Sequence, residues 1–87
     1  MVSQEFTVKN PTGIHARPAS MLVMLCNKLP GDIKITTDKD KTVNPRAILS
    51  VLMGGMNKGT KITVEVSGEN EEDSLKQIIE LLESFEE

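Results

Sequence analysis

The chain contains 87 residues, with 10 Lys and Arg, 13 Asp and Glu and one His, which give a net charge of −3 at neutral pH. This length predicts one small domain over residues 1–87 and leaves no room for a second. The charge gives no basic field for nucleic acid, Trp and Tyr are absent, and no segment reaches the roughly 20 apolar residues of a membrane-spanning helix. A single cysteine cannot form a disulfide framework, which fits a reducing compartment, so we expect a cytoplasmic protein. Because it has no long apolar segment, we expect no membrane insertion.

The chain starts with a predicted strand and a predicted helix. Alternating side chains at Gln4, Phe6 and Val8 favour a half-buried strand over residues 2–9, with Gln4 as its weakest member. A helix is predicted over residues 16–28, because apolar residues recur there at helical spacing. These residues define its buried face: Ala19, Leu22, Val23 and Cys26.

Short elements follow in the middle of the chain. A Pro-Gly pair at 30–31 ends the helix, and a second strand is predicted around residues 33–35. The polar turn at 38–40 leads into a third strand over 41–43. Pro45 then starts a brief helix that runs through Met53, where two glycines end it.

The last two elements are a fourth strand and a third helix. Alternation over residues 62–66 indicates the strand. Asn70 is the expected cap of the helix, and acidic residues fill its first turn. The apolar stripe of this helix comprises Leu75, Ile78, Ile79 and Leu82. The order β-α-β-β-α-β-α predicts an α+β fold in which amphipathic helices cover one face of a sheet.

The segment 12–20 carries the strongest functional signal, since it places the only histidine where a loop becomes a helix. His15 falls at or beside the N-cap, and Pro18 is tolerated in a helical first turn. The amide groups of Ala16 and Arg17 then point toward the imidazole, at a helix end that carries about half a positive charge and attracts phosphate. Together with the guanidinium of Arg17, these groups meet the needs of a reversible phosphohistidine site.

Each of these residues also has an ordinary structural interpretation. His15 is an uncommon cap, because Ser, Thr, Asp and Asn lead at that position. Arg17 alone would be a solvated side chain, yet a cation near a helix N-terminus opposes the dipole, which favours an anion held there.

Two other chemistries fail on the sequence. Cys26 lies eleven residues beyond His15, about 16 Å along one helix, which is too far for a catalytic dyad. Its spacing makes it a core thiol. One His and one Cys cannot supply the three or four ligands of a zinc site, so we expect no metal.

The brief helix has more apolar residues than it can bury. Ile48, with Val51 or Leu52, is expected to pack into the core. Leu49 is the first of the surplus residues, which should remain outside as a docking surface. Met21 and Met24 are further candidates for such a surface, although core packing is an equal alternative for each.

The chain resembles the HPr family, the histidine-containing phosphocarriers of the bacterial phosphoenolpyruvate-dependent sugar phosphotransferase system. The similarity centres on residues 13–19 (Gly-Ile-His-Ala-Arg-Pro-Ala) and continues through residues 41–44, 58–62 and 67–68. It spans essentially the whole chain. The resemblance implies an open-faced β-sandwich, in which three helices cover one face of a four-stranded antiparallel sheet and strands one and two flank strand four.

The resemblance also implies a function. His15 would accept a phosphoryl group on Nδ1 from enzyme I, which uses phosphoenolpyruvate, and pass it to enzyme IIA domains of sugar permeases. Arg17 would contact the phosphoryl group during transfer. The residues implied in partner docking are Ala16, Ser20, Ile48, Leu49 and Leu52. The protein would be a monomeric carrier that needs no cofactor and is not an enzyme, because each partner completes the site.

One departure from the family concerns regulation. Gram-positive members carry a regulatory serine at the start of the short helix, where this chain has Ala47. A paralogue specialised for catabolite repression lacks the histidine and keeps the serine, the reverse of this chain. Ser50 is the nearest substitute hydroxyl, and the sequence leaves open whether it takes that role.

Two alternatives remain open at the level of sequence. The first is a carrier of the nitrogen branch, which has a similar site and a regulatory role. The second, from another class, is a binding module in which His15 is only structural. Phosphorylation by enzyme I separates a carrier from a binding module, and partner preference separates the sugar branch from the nitrogen branch.

Overall fold

The computed structural model describes residues 1–86 and contains four strands and three helices within them. The strands are β1 (Val2–Thr7), β2 (Asp32–Thr37), β3 (Thr42–Val43) and β4 (Lys61–Ser67). The helices are α1 (Ala16–Lys28), α2 (Ile48–Leu52) and α3 (Glu71–Ser84). The sheet has the order β1-β4-β2-β3 with every neighbouring pair antiparallel, which confirms the predicted position of β4 between β1 and β2.

The core lies between the sheet and the helices. Residues of β4 alternate between a buried and a more exposed position, and Ile35 of β2 pairs with Val64 across the sheet on the buried side. The next pair, Lys34 with Glu65, lies on the opposite face. The predicted apolar face of α3 is buried, with Phe85 added to it. The open-faced α+β architecture is therefore confirmed, and its second sheet face is polar.

Several element boundaries differ from the sequence prediction. Regular β1 ends at Thr7, although Val8 still exchanges backbone hydrogen bonds with Thr60 and Gly59, just before β4. The largest difference is α2, which begins at Ile48 rather than at Pro45. Residues 44–47 instead form a turn, in which the Ala47 amide donates to the Asn44 carbonyl oxygen at 3.1 Å.

The start of α3 has the predicted N-cap residue but lacks its side-chain hydrogen bond. Asn70 adopts a left-handed conformation with φ of 55° and makes no side-chain cap. The carboxylate of Glu71 serves this end instead: one oxygen accepts from the Gly68 amide at 3.2 Å, and the other lies 2.9 Å from the N-terminal ammonium. Asn70 is thus the N-cap residue, as predicted, but its side chain does not bond to the helix end. The predicted acidic first turn is confirmed.

Candidate functional site

The loop that precedes His15 is held firmly to the body of the protein. Gly13 has φ of +70°, and a Cβ there would lie 2.7 Å from the Met56 carbonyl oxygen. The Asn10 side chain is buried and donates to the Gly13 carbonyl oxygen at 2.6 Å, while the Ile14 amide donates to the Met56 carbonyl oxygen at 2.9 Å. These hydrogen bonds before His15 therefore fix the position of the His15 backbone.

His15 is the N-cap of α1, as the sequence predicted. Its backbone is extended (φ −123°, ψ 169°), and its side chain is exposed and makes no cap hydrogen bond to the helix. The first turn of α1 contains no acidic residue. The imidazole is thus available to solvent at a helix end that no side-chain carboxylate of the first turn neutralises.

The first residues of α1 have an unusual backbone. Ala16 has φ of +40°, in the left-handed region that a side chain with a Cβ rarely adopts. Pro18 has no amide hydrogen, and the Ala19 amide donates to the His15 carbonyl oxygen at 3.3 Å. The remaining amide groups of the first turn are those of Ala16 and Arg17.

These groups surround a shallow depression of about 360 Å³, lined by Thr12, His15, Ala16, Arg17 and Pro18. Arg17 is exposed at its edge. The structure thus brings together the predicted acceptor imidazole, the predicted guanidinium and the two predicted backbone amides. An anion placed beside the imidazole would meet a helix N-terminus and a cation at once.

The short helix exposes the α2 patch, which we define as Ile48, Leu49, Leu52 and Met53. Leu49 is 65% exposed and Met53 64% exposed. Val51 alone among the apolar residues of α2 is buried. The expectation that Ile48 packs into the core is therefore wrong: a five-residue helix turns only one side chain of its length fully inward here.

One side of α1 exposes further residues beyond the depression. Ala16, Ser20 and Met24 are spaced four residues apart, share one side of the helix and are exposed. Met24 is 59% exposed and Met21 41%, so neither is a core residue. The candidate docking residues on α1 and α2 are thus all accessible to a partner.

Comparisons with known proteins decide the family. The family model described as "PTS HPr component phosphorylation site" matches residues 2–84. The phosphocarrier protein HPr of Lysinibacillus sphaericus is 38% identical over 82 residues, which cover 94% of this chain and 92% of that protein. The chain belongs to the HPr family.

Solved structures of HPr proteins agree with this assignment. HPr-C-His from Thermoanaerobacter tengcongensis matches with a TM-score of 0.90 and 32% identity, covering 97% of this chain and 93% of that one. Crh, the catabolite repression protein of Bacillus subtilis, matches with a TM-score of 0.74 and 30% identity, covering 95% and 94%. The fold and the phosphocarrier role in the phosphotransferase system are those of HPr.

Cys26 takes no part in the candidate site. Its side chain is fully buried, and burial raises the pKa of the thiol to about 11, with the nearby Arg46 acting in the opposite sense. The prediction of a core thiol is confirmed. Within residues 1–86, no group of three or more His, Cys, Asp and Glu side chains is placed to hold a metal ion. No helix in that range is both long and apolar enough to cross a membrane.

The sequence analysis missed three residues that form the surroundings of the candidate site and of α2. Asn10 ties the loop before His15, and the Asn-Pro pair at 10–11 is a turn signal that could have indicated it. The backbone of Met56 receives the same loop, which no sequence pattern shows. Arg46 joins α1 to the segment before α2, and only the tertiary structure reveals that contact.

Proposed function

We propose that this HPr-family protein is a cytoplasmic carrier in the sugar branch of the phosphotransferase system. It accepts a phosphoryl group on Nδ1 of His15 from enzyme I and passes it to enzyme IIA domains. In the transfer from enzyme I, the Nδ1 lone pair forms the new P–N bond while the bond from phosphorus to enzyme I breaks. In the onward transfer, the IIA acceptor forms its bond to phosphorus while the P–N bond breaks. The reverse exchange at the acceptor regenerates neutral imidazole.

The observation that carries this proposal is the setting of His15 at the start of α1. The imidazole is exposed and beside the amides of Ala16 and Arg17, and no acidic side chain occupies the first turn. Those amides and the Arg17 guanidinium favour the charge that accumulates on the phosphoryl oxygens. Since the protein offers no second reacting group there, the partner supplies the donor or acceptor and aligns it with His15.

The α2 patch supports the proposal that the partners of this carrier are proteins rather than small molecules. Its apolar side chains are exposed on a helix that contacts α1, and α1 itself exposes Ser20 and Met24. Contiguous exposed apolar surface of this kind is typical of protein contact sites. Partners would therefore cover Ala16, Ser20, Ile48, Leu49 and Leu52 while they reach His15. The free carrier would be a monomer with this surface open.

The decisive experiment is phosphorylation of the purified protein by enzyme I and phosphoenolpyruvate, followed by mass spectrometry. One acid-labile phosphoryl group should appear and map to His15, because it is the only imidazole of the chain. His15→Ala should abolish the modification without unfolding the protein, since the side chain is exposed. Labelling that persists in His15→Ala would contradict the proposal. Faster transfer to a nitrogen-branch acceptor than to a sugar IIA domain would assign the other branch.

A role like that of Crh is the nearest competing assignment, and residue 47 argues against it. Crh is named for catabolite repression, and its crystal structure contains a domain-swapped dimer. In this chain Ala47 stands at the N-cap of α2, where the family's regulatory serine is expected, so no hydroxyl is present. The retained His15 and the missing serine both favour the carrier.

Ser50 is poorly placed to replace the missing serine. It is half-buried, and its Oγ accepts the Asn44 amide hydrogen at 2.9 Å, which ties the turn before α2 to the helix. We expect ATP-dependent HPr kinase to leave this protein unmodified and Ala47→Ser to gain at least partial modification, as measured by phosphate incorporation. Efficient labelling of the unaltered chain at Ser50 would show that regulation survives at a different residue.

A further inference from the structure

The Arg46 side chain connects α1 to the segment before α2, and the proposed function depends on the relative position of these two helices. Its Nε donates to the Cys26 carbonyl oxygen at 2.9 Å, and its Nη2 donates to the Leu29 carbonyl oxygen at 2.6 Å. Both oxygens belong to the C-terminal end of α1, where Leu29 is the C-cap. The carbonyl groups at that end carry partial negative charge, so a guanidinium satisfies them electrostatically and by hydrogen bonding.

A second contact makes the connection reciprocal. The Asn27 side-chain amide donates to the Arg46 carbonyl oxygen at 3.2 Å, and also to the Val23 carbonyl oxygen within its own helix at 2.9 Å. The Arg46 amide in turn donates to the Asn44 Oδ1 at 3.0 Å, which fixes the turn at 44–47. The side chain, carbonyl and amide of Arg46 are therefore all engaged, and four residues hold it.

The segment that Arg46 holds leads directly into α2. A helix of five residues gains little stability from its own hydrogen bonds, so its orientation depends on contacts at its ends. At the other end, the Lys41 ammonium donates to the carbonyl oxygen of Met53, the C-cap of α2. Between these two ties, only Val51 anchors the helix in the core. The position of the α2 patch therefore depends mainly on the hydrogen bonds of Arg46 and Lys41.

We propose that Arg46 is a positioning residue for partner docking, which sets the α2 patch against α1 so that a bound partner reaches His15. This inference rests on the proposed function, since it assumes that partners use both the α2 patch and His15. Arg46 does not touch the phosphoryl group: its guanidinium holds the C-terminal end of α1, while His15 caps the N-terminal end. Its loss should therefore weaken docking and spare the chemical step.

An arginine is required because two carbonyl oxygens are held by one side chain. A planar guanidinium presents several N–H donors in a fixed fork, whereas a lysine ammonium is a compact charge on a flexible stem. Arg46→Lys should keep the charge near the end of α1 and lose the fixed geometry. Arg46→Met should lose both while it keeps most of the apolar stem in its half-buried place.

The test measures steady-state phosphoryl transfer from enzyme I to the full chain and its variants. Arg46→Met should raise KM for the carrier about tenfold with little change in kcat, and Arg46→Lys should raise it less. Lys28→Met is the matched control, because Lys28 is the basic residue in the last turn of α1. Ile33→Val controls for reduced stability, since Ile33 is a core residue of the sheet. Neither control should change KM.

Amide hydrogen exchange provides a readout that does not depend on transfer. The Val51 and Met53 amides donate within α2 to Ala47 and Leu49, and both should exchange faster in Arg46→Met than in Ile33→Val. An unchanged KM in Arg46→Met, or an equal rise in Ile33→Val, would overturn the inference. If the unaltered chain accepts no phosphoryl group, the proposed function fails, and unchanged exchange in α2 would then refute the Arg46 tie separately.

Discussion

The two long helices of this protein begin in opposite ways. α3 starts with three acidic residues, Glu71, Glu72 and Asp73, and the Glu71 carboxylate is in contact with the Gly68 amide and the N-terminal ammonium. α1 starts with a histidine, an alanine in the left-handed region and an arginine, and its first turn contains no acid. The sequences of the two starts therefore differ in the sign of their charge.

The difference shows how a helix end can be kept for a ligand. Both ends present amide groups and a partial positive charge. At α3 the chain's own carboxylates stabilise that end permanently. At α1 the chain adds a cation and a strained backbone, which cost stability in the absence of an anion. A phosphoryl group on His15 would supply the missing negative charge only for as long as it is carried.

Exchange of the charges at the second helical position should have the largest effect. Arg17→Glu removes the guanidinium and places a carboxylate beside His15, so phosphoryl transfer should fall about 100-fold. Stability should stay constant or rise by about 0.5 kcal/mol, because an acid suits a helix N-terminus. Stopped-flow transfer assays and urea unfolding would measure the two quantities.

Glu72→Arg is the matched control at the same position of α3. Transfer should be unaffected, and the free energy of unfolding should fall by about 0.5 kcal/mol. If Arg17→Glu transfers at the normal rate, Arg17 is a solvated side chain and the contrast between the two helices has no functional meaning.

A charge placed in the α2 patch should have the next largest effect, because this patch is the apolar surface that we expect partners to cover. Leu49→Glu should weaken binding of enzyme I roughly 30-fold, since the contact would bury an unpaired carboxylate. Calorimetric titration would measure the affinity, and the melting temperature should stay unchanged because Leu49 is exposed. Thr7→Glu adds the same charge on the outward side of β1, where Thr7 pairs with Lys61, and should have no effect. A collapse in melting temperature would place Leu49 in the core.

Relief of the backbone strain at α1 should have a smaller effect. Ala16→Gly replaces a residue at φ of +40° with one that adopts positive φ freely. The free energy of unfolding should increase by about 0.5–1 kcal/mol, as measured by urea denaturation. A decrease of similar size would show that Ala16 is an ordinary helical residue in solution.

The smallest predicted effect concerns the acidic start of α3. The hydrogen bond from the N-terminal ammonium, followed by the one from the Gly68 amide, lowers the pKa of the Glu71 carboxyl. A carboxyl with a lower pKa in the folded state adds stability above its unfolded pKa, and this is lost as pH falls through the folded value. Stability of the unaltered chain should therefore drop more between about pH 7 and about pH 3 than that of Glu71→Gln. Equal pH profiles would contradict the contact.

The fold and the main site were predictable because their signals are local or periodic. Helical spacing gave the bounds of α1 correctly, and alternation gave the buried residues of β4. The position of His15 at the N-cap followed from Pro18 and the glycine before it. The order of the strands came from the family resemblance rather than from the residues.

Long-range contacts explain what the sequence did not predict. Pro45 suggested a helix start, but the Asn44 side chain and carbonyl close a turn that delays α2 until Ile48. The exposure of Ile48 depends on how α2 is oriented. That orientation depends on hydrogen bonds between residues 17 to 20 positions apart in the chain, such as those from Arg46 to Cys26 and Leu29. Local patterns contain no information on such partners.

The burial of Cys26 also makes this protein convenient to label. It is the only cysteine of the chain, it is fully buried, and burial raises the pKa of its thiol to about 11. Since the thiolate is the reactive form, maleimides at neutral pH should leave it intact. A cysteine introduced at Lys34, on the sheet face away from the helices, would then take a fluorophore selectively. Such a probe would allow partner encounters to be followed in real time without touching the surface that meets them.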